Sequence, residues 1–181
     1  NLFNFMDGID GITGVQCVII SLGTAISLTI HGQISNLEFF LCAFITGSSI
    51  AFLFWNWHPA KIFLGDAGSI PIGFINFVLL LILCKNGLWY IALMLNIYYL
   101  SDATYTLLRR IKMKKKPWEA HKDHFYQLPI QRNIKHSTVS LIILAHGIFM
   151  IGLSIASLFF TSITFIIFIL MIAGLSTIYL L

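Results

Sequence analysis

Three short polar segments hold the residues that could do chemistry. The first, residues 1–14, reads Asn1-Leu-Phe-Asn4-Phe-Met-Asp7-Gly8-Ile-Asp10-Gly11. Asp7 and Asp10 are three apart, which in a helical turn gives them one face, with Asn1 and Asn4 continuing the stripe. Two carboxylates among amides and glycines suit a hydrated Mg²⁺, which takes one or two carboxylates and fills its other positions with water and phosphate oxygen. They equally suit hydrogen bonds to a sugar or base, or a plain polar helix entry. The second, residues 55–69, ends in Gly65-Asp66-Ala-Gly68-Ser69 ahead of an apolar run. Ser69 is a candidate N-cap, and a helix N-terminus after glycine-rich backbone favours anions. Asp66 would repel a phosphate there unless a metal lies between them; alternatively it only complements the helix dipole. The third, residues 109–136, contains His121-Lys122-Asp123-His124. Two imidazoles and several cations can neutralise phosphate oxygens or transfer protons near neutral pH. The Arg109–Lys116 run reads more simply as a holder of anionic lipid head groups. Asp102, just upstream, either pairs with Arg109 or Arg110 or faces the site.

The elements that must position these segments are membrane helices. Of 181 residues, 58% are hydrophobic and only 10% charged, with mean hydropathy +0.89; a soluble domain is about one-quarter charged. A spanning helix takes about 20 apolar residues, and six runs qualify or nearly so: roughly 12–30, 37–55, 70–84, 87–108, 138–157 and 163–181. They are too long and too uniformly apolar for barrel strands. The fold expected is an all-α membrane protein, one polytopic domain over residues 1–181.

The connectors alternate in character. Lys85 lies in a short connector, whereas Lys61, Arg109, Arg110, Lys112, Lys114, Lys115, Lys116, Lys122, Arg132 and Lys135 all lie in the three polar segments. Positive charge collects on the cytoplasmic side of a bilayer, so the catalytic loops are expected in the cytoplasm under an inner, plasma membrane. The net charge of +4 is then a feature of that face and no argument for nucleic acid. Cys17, Cys42 and Cys84 read as small hydrophobes; His146, Asn76 and Asn96 read as interhelical hydrogen-bonding groups.

At the three segments the chain resembles the polyprenyl-phosphate N-acetylhexosamine-1-phosphate transferases, a glycosyltransferase family 4 type of multi-pass enzyme. Residues Asn1 to Gly11 match the family's Asn-x-x-Asn-x-x-Asp-Gly-x-Asp-Gly signature at every fixed position, and Gly65 to Ser69 match its Gly-Asp-x-Gly-Ser motif. His121 to His124 resembles its histidine-rich loop, and Asp102 with Arg109-Arg110 resembles its Asp-Thr…Arg-Arg segment. The resemblance implies transfer of a sugar 1-phosphate from a UDP-sugar to polyprenyl phosphate, with release of UMP. It implies Mg²⁺ on Asp66 and Asp7; catalytic roles for Asp7, Asp10, Asp66, His121 and His124; and substrate contacts from Asn1, Asn4, Gly65, Gly68, Ser69 and Lys122. The expected partners are UDP-N-acetylhexosamine, polyprenyl phosphate (undecaprenyl phosphate), the bilayer and a second copy of the chain. The family's Asp-Asp motif is not present, so the chain is expected to be the C-terminal part of a longer enzyme and inactive alone. His-Lys-Asp-His lacks the triple histidine of the phospho-N-acetylmuramoyl-pentapeptide transferases and sits nearer the branch that initiates O-antigen, in lipopolysaccharide synthesis. The alternatives are the pentapeptide transferase itself or a membrane transporter or scaffold; nearly uncharged span interiors argue against transport.

Overall fold

The computed structural model describes residues 2–116, 121–160 and 162–181. Among them the chain is helical, without strands. A short helix α1 (Leu2–Met6) precedes α2 (Ile12–Ile30), α3 (Asn36–Asn56), α4 (Gly65–Lys85) and α5 (Trp89–Lys112). A 3₁₀ turn (Phe125–Gln127) and a one-turn helix α6 (Leu128–Gln131) lead into α7 (His136–Phe159) and α8 (Ile163–Leu180). Five helices, α2, α3, α4, α7 and α8, are long and apolar enough to cross a membrane. The chain is an all-α membrane protein, with five such helices among the described residues where six runs were expected.

The sixth, α5, is long enough but differs in composition, and its place in the bundle explains why. Tyr98, Asp102, Thr106 and Arg110 recur every four residues along one face, and all four are buried. A polar stripe of this kind survives only when protein covers it. α5 accordingly packs on α1, α2, α4, α7 and α8. α2 is the other central rod, enclosed by α3, α4, α5 and α7, with Ile12, Val15, Ile19, Ile20 and Leu28 buried. In contrast α3, α4 and α8 present Phe40, Phe44, Phe74, Phe77, Met171 and Leu175 outward. Unpaired apolar surface of that extent matches a lipid surround.

Some polar groups within the bundle bond across helices. His146 Nε2 on α7 lies 3.2 Å from Thr177 Oγ1 on α8, and Asn76 on α4 donates to Cys17 Sγ on α2 at 3.2 Å. Asn96 departs from expectation, since its Oδ1 is buried with no partner among the described residues. At the far end of the bundle Ser35 and Glu38 form a capping box that starts α3. It satisfies two backbone donors that the helix leaves open.

Successive long helices run in opposite directions, so the segments before α2, between α3 and α4, and between α5 and α7 share one end. Side-chain bonds tie them there. Gly11 N–H donates to Asn56 Oδ1 at 2.9 Å, Asn4 reaches Asp66, and Tyr126 Oη donates to the Phe5 carbonyl at 3.1 Å.

Candidate active site

The first segment is two pieces with a break. α1 ends at Met6, the chain turns through residues 7–11, and Gly11 adopts φ +82° to start α2. Only glycine takes that conformation cheaply. Asp7 and Asp10 therefore do not share a helical face, as their spacing suggested; they point to different partners.

Asp7 accepts from Thr13 Oγ1 at 2.6 Å. Burial raises its pKa; the Thr13 hydrogen bond opposes this, and the neighbouring Asp66 carboxylate adds to the rise. Asp66 accepts from Asn4 Nδ2 at 2.6 Å, and the same amide reaches Ser69 Oγ at 3.0 Å. No cation among the described residues pairs with either carboxylate. Each is held by a neutral donor, and the two repel one another beside a cavity of about 440 Å³ lined by Asn4, Asp7, Gly8, Asp10, Asn56 and Asp66, among others. An oxygen-only donor pair of this kind fits Mg²⁺.

The motif around Asp66 is helical sooner than its sequence suggests. α4 begins at Gly65, with Leu64 at the cap position and no side-chain cap. Ser69 is therefore the fifth residue of the helix, where its hydroxyl accepts from Asn4, and not an N-cap. Asp66 and Gly68 lie in the same turn, which brings Asp66 over the first segment.

Asp10 has both oxygens committed. Its Oδ2 accepts from Ala60 N–H at 3.2 Å and lies 2.7 Å from His58 Nδ1. Its Oδ1 lies 3.2 Å from His136 Nδ1. Burial works to raise the Asp10 pKa, but the bonds from His58, Ala60 and His136 outweigh it and hold the carboxyl below its ordinary range. Neither histidine was singled out from sequence. His58 is the lone histidine of its segment and His136 stands apart from the His121–His124 pair, and only the fold joins these positions, 48 and 126 residues away from Asp10.

The third segment forms a second cluster. His124 is buried, and its Nδ1 lies 2.9 Å from Asp102 Oδ1. Asp102 is fully buried and also accepts from Thr106 Oγ1, Phe125 N–H and Tyr126 N–H. Of the two roles open to Asp102, pairing with Arg109 or Arg110 is overturned. Arg110 turns instead to Asp123 and the Lys116 carbonyl, so it is no lipid head-group residue either. Asp123 is held below the usual carboxylate range, chiefly by the Arg110 hydrogen bond. His121 stacks on His124 with ring centroids 4.9 Å apart. Burial, then the charges of Arg110 and His124, lower its pKa. His124 also stacks on Tyr126. Tyr126 is the bridge to the first segment, and a β-carbon at Gly8 would run into its hydroxyl. Lys122 is exposed and contributes its carbonyl to Gln131. Gly65, with φ +60°, and Asp66 are exposed at the rim. Asn1 lies outside the described residues.

Residues 1–84, which include the first two segments, match the model of a family described as glycosyl transferase family 4. Those residues belong to glycosyl transferase family 4. A Bacillus subtilis (strain 168) protein, described as a probable undecaprenyl-phosphate N-acetylglucosaminyl 1-phosphate transferase, is 30% identical over 151 residues. That match covers 81% of the chain and 42% of the relative. A phospho-N-acetylmuramoyl-pentapeptide-transferase of Prochlorococcus marinus (strain NATL2A) is 42% identical over 40% of the chain and 20% of its own length. Another, from Vesicomyosocius okutanii, is 33% identical over 50% of the chain and 29% of its length. The chain therefore spans less than half the length of each of these relatives.

Proposed function

We propose that the full-length protein transfers an N-acetylhexosamine 1-phosphate from a UDP-sugar to polyprenyl phosphate, releasing UMP. The reaction would take place on the cytoplasmic side of the inner membrane, in cell-envelope polysaccharide synthesis. The observation that carries the reading is the Asp7–Asp66 pair: two carboxylates with neutral donors and no cation partner among the described residues, both lining one cavity in a chain with a family 4 match.

Phosphoryl transfer depends on positioning and charge neutralisation more than on covalent chemistry from the protein. Asp7 and Asp66 would hold Mg²⁺, which supplies charge neutralisation to the diphosphate when bound. Thr13 and Asn4 fix the two carboxylates. Asp102 fixes the His124 ring through Nδ1, leaving Nε2 to meet a phosphate oxygen, and the stacked His121 adds a second donor. Gly65 would give a backbone contact close to the diphosphate from the cavity wall, whereas Ser69, buried and bonded to Asn4, would fix that amide instead. The apolar outer faces of the helices would hold the isoprenoid chain, with undecaprenyl phosphate as acceptor. The greater extent of the Bacillus match supports the N-acetylglucosamine type of donor over the pentapeptide donor.

The test is UMP release by purified full-length protein, with polyprenyl phosphate, Mg²⁺ and a panel of UDP-sugars that includes the muramoyl-pentapeptide donor. Turnover with a UDP-N-acetylhexosamine, lost in Asp66→Asn and on chelation of Mg²⁺, supports the reading. Full activity of Asp66→Asn, or turnover with the pentapeptide donor alone, overturns it.

A further inference from the structure

Asp10, His58 and His136 converge on one point at the cavity rim, and their chemistry differs from that of the Asp7–Asp66 pair. One carboxylate oxygen and one imidazole nitrogen from each histidine all lie within 4.8 Å of one another. The two rings are tilted by 36° with centroids 5.1 Å apart, so both Nδ1 atoms face the same carboxylate. His136 Nδ1 faces both the Asp10 backbone N–H, at 3.3 Å, and Asp10 Oδ1, at 3.2 Å. A ring nitrogen serves one of these as an acceptor or the other as a donor, never both at once, whereas a cation held between the ring and the carboxylate would meet the lone pairs of each.

We propose that Asp10, His58 and His136 form a binding site for a zinc-class divalent cation, separate from the Mg²⁺ pair. Imidazole selects zinc, cobalt or nickel over magnesium, which prefers oxygen. Two histidines and one carboxylate are a common open zinc set, with the fourth position left for water or substrate. Here that position opens on the cavity, since Asp10 and His136 both line it. Metal–ligand bonds of about 2.0–2.2 Å are reached by modest side-chain rotation from the present spacing. The ligands are also braced from behind, as such sites require. Ala60 N–H holds Asp10 Oδ2, Ser140 Oγ donates to the Asp10 carbonyl at 2.7 Å, and Asn56 holds Gly11. The three ligands come from three chain segments, so the site exists only in the folded protein. A phosphate oxygen in the cavity could complete the coordination, which would tie the occupancy of this site to that of the cavity.

The experiment uses full-length protein in lipid nanodiscs, stripped of metal and titrated with Co²⁺ under excess Mg²⁺. The expected result is one equivalent of cobalt with the intense visible bands of a four-coordinate nitrogen–oxygen site, displaced by Zn²⁺. His58→Gln and His136→Gln, which retain side-chain bulk and hydrogen bonding, lose those bands while keeping the parent's helical circular dichroism. Asp66→Asn retains them. A weak octahedral spectrum in the parent, or four-coordinate bands that persist in both glutamine variants, overturns the proposal. No turnover is needed for this measurement, so its failure is distinct from failure of the transferase reading.

Discussion

At the scale of residues, the decisive chemistry lies in which neutral or charged group holds each carboxylate. Asp7 is raised by burial and by Asp66, and lowered by Thr13. If Asp7 holds Mg²⁺ as proposed, the ion needs the ionised carboxylate, and its affinity should fall as pH drops through the Asp7 pKa. Thr13→Val removes the opposing hydrogen bond and raises that pKa further. The acid limb of Mg²⁺ activation in the full-length enzyme should move to higher pH, with the plateau above it unchanged; an unmoved limb would detach Asp7 from the metal. Asp102 is a positioning residue for His124. Asp102→Asn keeps the side-chain shape but weakens the grip on Nδ1, and transfer should slow by the roughly 10–100-fold that loss of an orienting partner costs. The KM for donor should change less than kcat. Equal loss in Lys115→Ala, whose ammonium lies 3.8 Å from Asp123 at the surface, would reduce the loop to generic charge.

At the scale of elements, the contact between the Phe125–Gln127 turn and the first segment joins the histidine cluster to the carboxylates. Gly8 makes room for it, because an added β-carbon meets both Tyr126 Oη and Gln127 Nε2. Overpacking of this kind costs about 1–3 kcal/mol. Gly8→Ala should lower both the melting temperature and the transfer rate. Tyr126→Phe in the same chain removes the clashing hydroxyl and should recover part of each; no recovery would mean that the two elements do not meet there. The polar stripe of α5 belongs to the same scale. It was not evident from sequence, where residues 87–108 read as one more apolar span, because an apolar average hides a four-residue repeat of buried polar groups.

For the whole molecule, the alternation of six long helices sets which loops meet. Cysteine introduced at Lys61 or Lys122 should react with a membrane-impermeant thiol reagent only from the cytoplasmic side of vesicles, and cysteine at Asn86 only from the other. Labelling of Lys61→Cys and Lys122→Cys from opposite sides would separate the segments that the hydrogen bonds join. The outward phenylalanines of α3 and α4 also belong here, since they need lipid or further protein against them.

Composition and the length of apolar runs sufficed for the all-α membrane class and for gathering the polar segments at one end of the bundle, because both depend on transfer of whole segments between water and lipid. Motif spacing was enough to propose Asp7, Asp66, His121 and His124 as candidates, since each lies in a local pattern of residues suited to phosphate chemistry. Pairing was beyond its reach. His58 and His136 join Asp10 from opposite parts of the chain, and Asp102 takes His124 over the arginines seven and eight residues along its own helix. Such choices depend on which helix faces meet and which buried charges need partners, and those are properties of the packed bundle alone.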